Sequence, residues 1–255
     1  MHNYIKIEWL KLKRSNVKKI AFITPCIFVF FLFFTLISSN NPGGLLDDVS
    51  IFQTLIFNLW TIMVFPGLIV LCASANLKLE DKSYGKKLSC VNNWPLNQWY
   101  LSKIFVLSVL MLCSSIIVAI IILIGNLLTT DSIGNVILII ETSVLIWLAY
   151  LPLIALNMLL LRYINMILVL FINITLTVIG ATFIAFSPNF LFFPWSYGLR
   201  IISNTLRIHP NGTLLDKNSI YFNDIHTVVA ILVVSLILFI IEICITKTLR
   251  WRRDI

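Results

Sequence analysis

The sequence predicts an all-α integral membrane protein. It has six transmembrane helices, an N-terminal interfacial helix, and an outer re-entrant or surface-lying helical hairpin between spans five and six. Three observations predict this. Hydrophobic residues make up 59% of the 255 and charged residues only 12%, about half the share that keeps a soluble domain's surface in water. The 19 basic and 11 acidic residues gather in clusters, and the stretches 20–46, 49–77, 104–130 and 163–199 carry no charge at all. Each is long enough for the roughly 20 residues that cross a hydrocarbon core. The basic residues also alternate in the way that fixes topology: segments 1–19, 76–103, 162–163 and 247–255 hold 6, 5, 1 and 4 of them.

Taken in order, the spans are expected near 20–38, 52–75, 104–128, 136–161, 164–186 and 226–246, within a single transmembrane domain of residues 1–255. The segments expected outside carry only Arg200, Arg207 and Lys217, against Asp47, Asp48, Asp131, Asp216 and Asp224. An excess of Lys and Arg marks cytoplasmic loops, so both termini are expected in the cytoplasm. The net charge of +8 then faces anionic inner-leaflet lipid rather than nucleic acid. A cleaved signal peptide is a poor reading of the first span. The basic segment before it is 19 residues long, and no small-x-small site follows Ser39.

At 100° per residue, Ile5, Trp9 and Leu12 form one apolar stripe ahead of span one. The expectation is an interfacial helix, with Lys13 and Arg14 among the basic residues at headgroup level. The turn-rich run at 38–44 leads into a short outer loop. Pro66 and Gly67 predict a kink in span two. The inner segment 76–103 is too short for a catalytic domain but long enough for one helix lying along the membrane, and Trp94, Trp99 and Tyr100 suit headgroup depth. Short turns at 131–134 and 162–163 join spans three to four and four to five. The outer segment, about 187–225, is apolar at its start and carries Pro188, Pro194 and Gly198. Two arginines further on are costly in mid-bilayer, so a hairpin on the outer side fits better than another crossing.

Chemistry is sparse. Gly85, Lys86 and Lys87 lack the flanking pattern of a phosphate-binding loop, so no ATP site is expected in this chain. His2, His209 and His226 make no HExxH pair, and there is no GxSxG elbow. The five cysteines show no CxxC spacing and read as small buried hydrophobes, so neither a disulfide framework nor a zinc site is expected. Glu141 and Glu242 fall within spans near their ends, where a carboxylate reaches the interface. Asn157, Asn173 and Thr177 either hydrogen-bond between helices or, with Glu141, line a substrate path.

Residues 8–15 (Glu, Trp, Leu, Lys, Leu, Lys, Arg, Ser), just before the first span, resemble the start of many bacterial ABC-2-type permeases. Residues 93–104, from Asn93-Trp94-Pro95 to Ser102-Lys103-Ile104, are similar to the stretch those permeases carry before span three. The outer pieces Phe193-Pro194-Trp195-Ser196-Tyr197 and His209-Pro210-Asn211-Gly212 resemble a narrower branch, the lantibiotic-immunity permeases of the MutE/EpiE type. One departure is Gly198-Leu199, where that branch has a proline.

The resemblance implies an ABC-2-type permease fold and a coupling segment at about 86–96. Lys86, Lys87, Leu88, Asn92, Asn93, Trp94, Pro95 and Leu96 would there contact an ATPase. It implies a non-catalytic permease subunit in the bacterial cell membrane, and its partners would be a cytoplasmic ABC ATPase pair and a second permease subunit, identical or paralogous. ATP and Mg would be used by the ATPase, with no cofactor in this chain. The cargo it implies is a lanthipeptide exported from membrane to medium for self-protection. Another hydrophobic peptide, antibiotic or lipid is the alternative cargo. A secondary carrier independent of partners, a membrane enzyme and an assembly factor are the remaining alternatives.

Overall fold

The computed structural model describes residues 2–13, 15–38, 45–46, 49–82, 96–130 and 133–248. Six helices in it are long and apolar enough to cross a membrane: Asn16–Ile37, Ile51–Leu79, Gln98–Thr130, Val136–Leu160, Met166–Ile184 and Ile225–Thr246. The helix His2–Leu12 precedes them, and the helix Tyr197–Leu206 lies between spans five and six. Among the described residues, paired strand is confined to Leu45–Leu46 against Val49–Ser50 and an isolated bridge between Ile208 and Leu214.

Short polar side chains start four of the spans. Ser50, Asn135, Asn165 and Asp224 accept hydrogen bonds from the backbone N–H of Gln53, Leu138, Leu168 and His226. Each satisfies a donor that the first helical turn leaves open. Asp224 also accepts from the Thr227 hydroxyl, which holds its carboxyl below the usual carboxylate range.

Spans two, three and four form the centre, with 67%, 56% and 56% of their apolar windows buried; spans one, five and six, at 22%, 22% and 17%, are peripheral. Span one packs on spans two and three, span five on span two, and span six on span four. One face of the bundle gathers the N-terminal helix, the end of span two, the start of span three and the turn between spans four and five. The opposite face carries the strand pair, the ends of the third span's far turns and the Tyr197–Leu206 helix.

Three prolines explain how the spans find each other. Pro25 has no N–H for the carbonyl of Ala21, and the Ser114 hydroxyl of span three donates to that oxygen at 2.9 Å. Pro152 leaves the Leu148 carbonyl open where span four breaks at Tyr150, and Ser235 of span six donates to it at 2.8 Å. Ahead of Pro66 the expected kink takes the form of a π-helical turn, Trp60–Val64, in which the Phe65 N–H reaches the Trp60 carbonyl. The next carbonyl in that register, on Thr61, would need the N–H that Pro66 lacks, and the Tyr150 hydroxyl donates to it at 3.0 Å. Hydrocarbon offers no substitute donor, so each freed carbonyl must be met by a neighbouring helix.

This pairing gives a direct expectation. Ser114→Ala should lower stability by about 1 kcal/mol, the typical net value of such a bond. The loss should vanish in a Pro25→Ala background, where the backbone regains its own donor. Thermal unfolding of the four detergent-solubilised proteins checks this.

Several sequence expectations are corrected. The segment between spans two and three, expected at 76–103, is shorter, because helices run to Lys82 and from Leu96; Asn76 and Lys103 therefore lie inside helices. The element between spans five and six, expected as a re-entrant or surface-lying helical hairpin, is buried in the bundle. Its one α-helix, Tyr197–Leu206, has nine of ten residues buried, and the return to span six is turn-rich rather than helical. The glycine at the departure from the resembled branch accounts for this close docking. A Cβ on Gly198 would come within 2.7 Å of the Tyr150 hydroxyl oxygen.

Candidate functional site

On the face that carries the N-terminal helix, a charge cluster is buried where three helices meet. Lys103 Nζ donates to Glu8 Oε2 at 2.8 Å and to Asn76 Oδ1 at 2.9 Å, while Lys11 Nζ donates to Glu8 Oε1 at 2.8 Å. Lys103 is 0% exposed and Glu8 2%. Lys103 also stands 4.9 Å from the centroid of the Trp99 ring, one helical turn earlier. Such a pair is tolerated in a low-dielectric setting only because both charges are matched and hydrogen-bonded. It ties the N-terminal helix to the last turns of span two and the first turns of span three, the two helices that bound residues 83–95.

The local sequence dictates the placement. Glu8 and Leu12, one turn apart, share the inward face of the N-terminal helix, with Leu12 1% exposed and Ile5 half-buried on the same side. The helix ends sharply, as the Ser15 N–H and hydroxyl both donate to the Leu12 carbonyl. Of the stripe Ile5, Trp9 and Leu12, the first and last face the protein. Trp9 is 41% exposed, with Lys18 Nζ 4.6 Å from its ring centroid, because the ion pair rotates Glu8 inward. Lys13 is exposed, and Arg14 lies outside the described residues.

Beside this cluster, the Arg162 guanidinium lies 3.7 Å over the Tyr100 ring, joining the turn between spans four and five to span three. Burial pulls its pKa down, opposed by Tyr100 and Tyr163. Glu242 of span six has a buried Oε2 that meets no hydrogen-bond donor among the described residues.

Of the expected coupling residues, Lys86, Lys87, Leu88, Asn92, Asn93, Trp94 and Pro95 lie outside the described residues. Leu96 opens the span-three helix, and its side chain is also outside them.

The polar residues weighed for a substrate path divide into two places. Asn157 and Asn173 exchange reciprocal amide hydrogen bonds of 2.6 and 3.1 Å between spans four and five. Asn173 Oδ1 also accepts from Trp195 Nε1 at 3.1 Å, and Thr177 donates to the Asn173 carbonyl. All three residues are 0% exposed. Their polar atoms are engaged by protein, which makes the group an interhelical clamp. Glu141 is elsewhere, exposed on the bundle's periphery next to Ile140 and one turn from Ile137. The sequence did not single out Glu8, Asn76 and Lys103 as one site. Glu8 and Lys103 each lie in a stretch that carries the resemblance, but their meeting depends on a fold that closes 95 residues of chain.

On the far face, Arg200 of the buried helix is boxed by aromatic rings. Its guanidinium lies 4.4, 5.2 and 5.6 Å from the centroids of Tyr221, Phe190 and Phe186. Burial pulls its pKa below the ordinary arginine value, while Tyr221 and Asp224 work against that pull.

Six apolar spans, with a buried helix between the fifth and sixth and a buried charge cluster where three helices meet, describe a multi-pass membrane protein. The family model described as ABC-2 family transporter protein matches residues 4–186, from the N-terminal helix through span five. The chain belongs to that family, and is the membrane-spanning permease subunit of an ABC transporter, which works with an ATPase. No curated protein and no solved structure gave a match.

Proposed function

We propose that this permease exports an amphipathic antimicrobial peptide of the lanthipeptide class from the bacterial membrane to the medium. Energy reaches it through the face that carries the N-terminal helix. The observation that carries the reading is the Glu8–Lys103–Asn76 cluster, which fastens the N-terminal helix to both helices flanking residues 83–95. A rigid frame around that segment is what a docked ATPase needs in order to move spans two and three together, a two-state displacement of packed elements.

In this reading that face is cytoplasmic, both termini included, in accord with the distribution of basic residues. Residues 86–96 are the segment that enters the ATPase, with Trp94 and Pro95 near its C-terminal end. A second permease subunit completes the translocation path. The peptide cargo rests on the resemblance of Phe193–Tyr197 and His209–Gly212 to the immunity branch.

Trp94→Ala combined with Pro95→Ala is expected to abolish protection against the peptide and the peptide-stimulated ATP hydrolysis of the complex, with membrane insertion intact. Full protection by that variant in a growth assay would contradict the coupling assignment.

A further inference from the structure

Residues 1–19 hold six basic residues and one acid, Glu8. The fold takes that acid out of reach, since Glu8 is buried and bonded to Lys103 and Lys11. The N-terminal helix therefore shows its opposite side to the surroundings. At 100° per residue, Lys6, Trp9 and Leu10 fall within one arc of about 100°, turned away from Glu8 and Leu12. Lys6 is exposed, Leu10 is 60% exposed, and Lys13, in the turn that follows the helix, is exposed as well. Lys19, exposed in the first turn of span one, adds a third cation. Among the described residues, Lys6, Lys13 and Lys19 meet no carboxylate, because the ion pairs there are those of Glu8 with Lys11 and Lys103.

Span one fixes how deep this surface lies. Lys18 Nζ, in its first turn, stands 4.6 Å from the centroid of the Trp9 ring. One turn further into the span, Phe22 and Ile23 are apolar and exposed, Ile23 at 64%, and belong to the hydrocarbon belt. Trp9 and the lysines around it are thus within one turn, roughly 6 Å, of that belt's edge. An amphipathic ring settles at this headgroup depth.

We propose that Lys6, Trp9, Leu10, Lys13, Lys18 and Lys19 form a binding site for the headgroup of an anionic phospholipid. The lysines meet its phosphate, and Trp9 and Leu10 rest against the glycerol and the first acyl carbons. The charge pattern selects this occupant. A zwitterionic headgroup brings its own cation to a surface with no exposed acid among the described residues. A net negative headgroup meets only attraction, about fivefold in affinity for each lysine. A free phosphate ion gains nothing from Trp9 and Leu10. The helix is then held from both sides, by Glu8 to spans two and three and by lipid along the outer arc. The site stands apart from the export reading, since neither ATPase nor cargo enters it.

Native mass spectrometry of the full chain tests this. The protein is released from maltoside detergent with added phosphatidylglycerol or phosphatidylcholine, and the bound lipids are counted and ranked by affinity. One phosphatidylglycerol is expected to bind about tenfold or more tightly than phosphatidylcholine. Lys6→Gln, Lys13→Gln and Lys19→Gln together should weaken it about a hundredfold, at about fivefold per lysine. These side chains are exposed and unpaired, so the unfolding temperature should not move. Trp9→Ala should weaken binding severalfold. Removing three charges elsewhere, by Lys78→Gln, Arg252→Gln and Arg253→Gln, should leave it unchanged. Equal affinity for phosphatidylcholine overturns the proposal, as does parental binding by the triple lysine variant or by Trp9→Ala. An equal loss in the charge-matched control would make the attraction diffuse and also overturns it. So does displacement by inorganic phosphate at matched concentration, which would leave an anion site without lipid.

Discussion

Lys103→Met should be the most damaging single change on the N-terminal face. It removes the cation from a pair whose members are 0% and 2% exposed, and leaves the Glu8 carboxylate buried with its remaining bond to Lys11. Breaking a buried pair from one side costs about 3–5 kcal/mol, because the surviving charge keeps its desolvation penalty. The remedy follows from the same physics. Glu8→Gln in the Lys103→Met background removes the stranded charge, and should restore most of the lost stability. Unfolding of the detergent-solubilised single and double variants reads the difference. If the account of energy transfer is sound, the recovered double variant should still hydrolyse ATP poorly with the partner ATPase, since the N-terminal helix is no longer fastened to span three. Equal stability of Lys103→Met and the parent would mean the cluster contributes nothing.

The second large effect is expected at Gly125. Spans two and three approach so closely there that a Cβ would stand 2.0, 2.5 and 2.8 Å from three ring carbons of Phe52. Phe52 is itself 2% exposed and packed in the core, so its ring has little room to move aside. Gly125→Ala should therefore separate the two helices and cost about 1–3 kcal/mol or more, the range for overpacking a close-packed interior. The displacement would also pull at Asn126, whose side chain donates to Gln53 and accepts from Ser50 in the adjoining polar contact. Shrinking the obstacle with Phe52→Leu in the same protein should return much of the stability. A Gly125→Ala variant that unfolds at the parental temperature would refute the close approach.

How much of this was legible beforehand differs by level. The spans were readable because hydrocarbon demands long uncharged runs, and the stretches 49–77 and 104–130 leave no other reading. Their starts were less so. Asn165 looked like a polar residue within span five, whereas it caps that helix through Leu168. Asn135 and Asp224 carried the same signal, a short polar side chain just before an apolar run.

Pro66 announced a disturbance in span two. That it would be a π-helical turn whose open carbonyl is met by Tyr150, 89 residues on, depends on packing that no local pattern encodes. Pro152 and Ser235 pose the same difficulty. The charge cluster was half visible: Glu8 and Lys103 each sat in a stretch resembling ABC-2 permeases, but only the folded chain brings them within 2.8 Å. For the N-terminal helix, periodicity puts Ile5, Trp9 and Leu12 on one stripe and says nothing of Glu8, whose ion pair turns its carboxylate inward.

The central claim is that this chain is moved by a separate ATPase through the face bearing its N-terminal helix. The most direct measurement places a photo-crosslinking amino acid at position 94 of the chain, expressed with its transporter partners, and identifies what it captures on illumination. The account predicts covalent capture of the cytoplasmic ATPase subunit, with a yield that changes when nucleotide is bound. Capture of lipid alone, or labelling of position 94 by a membrane-impermeant reagent added to intact cells, would contradict it.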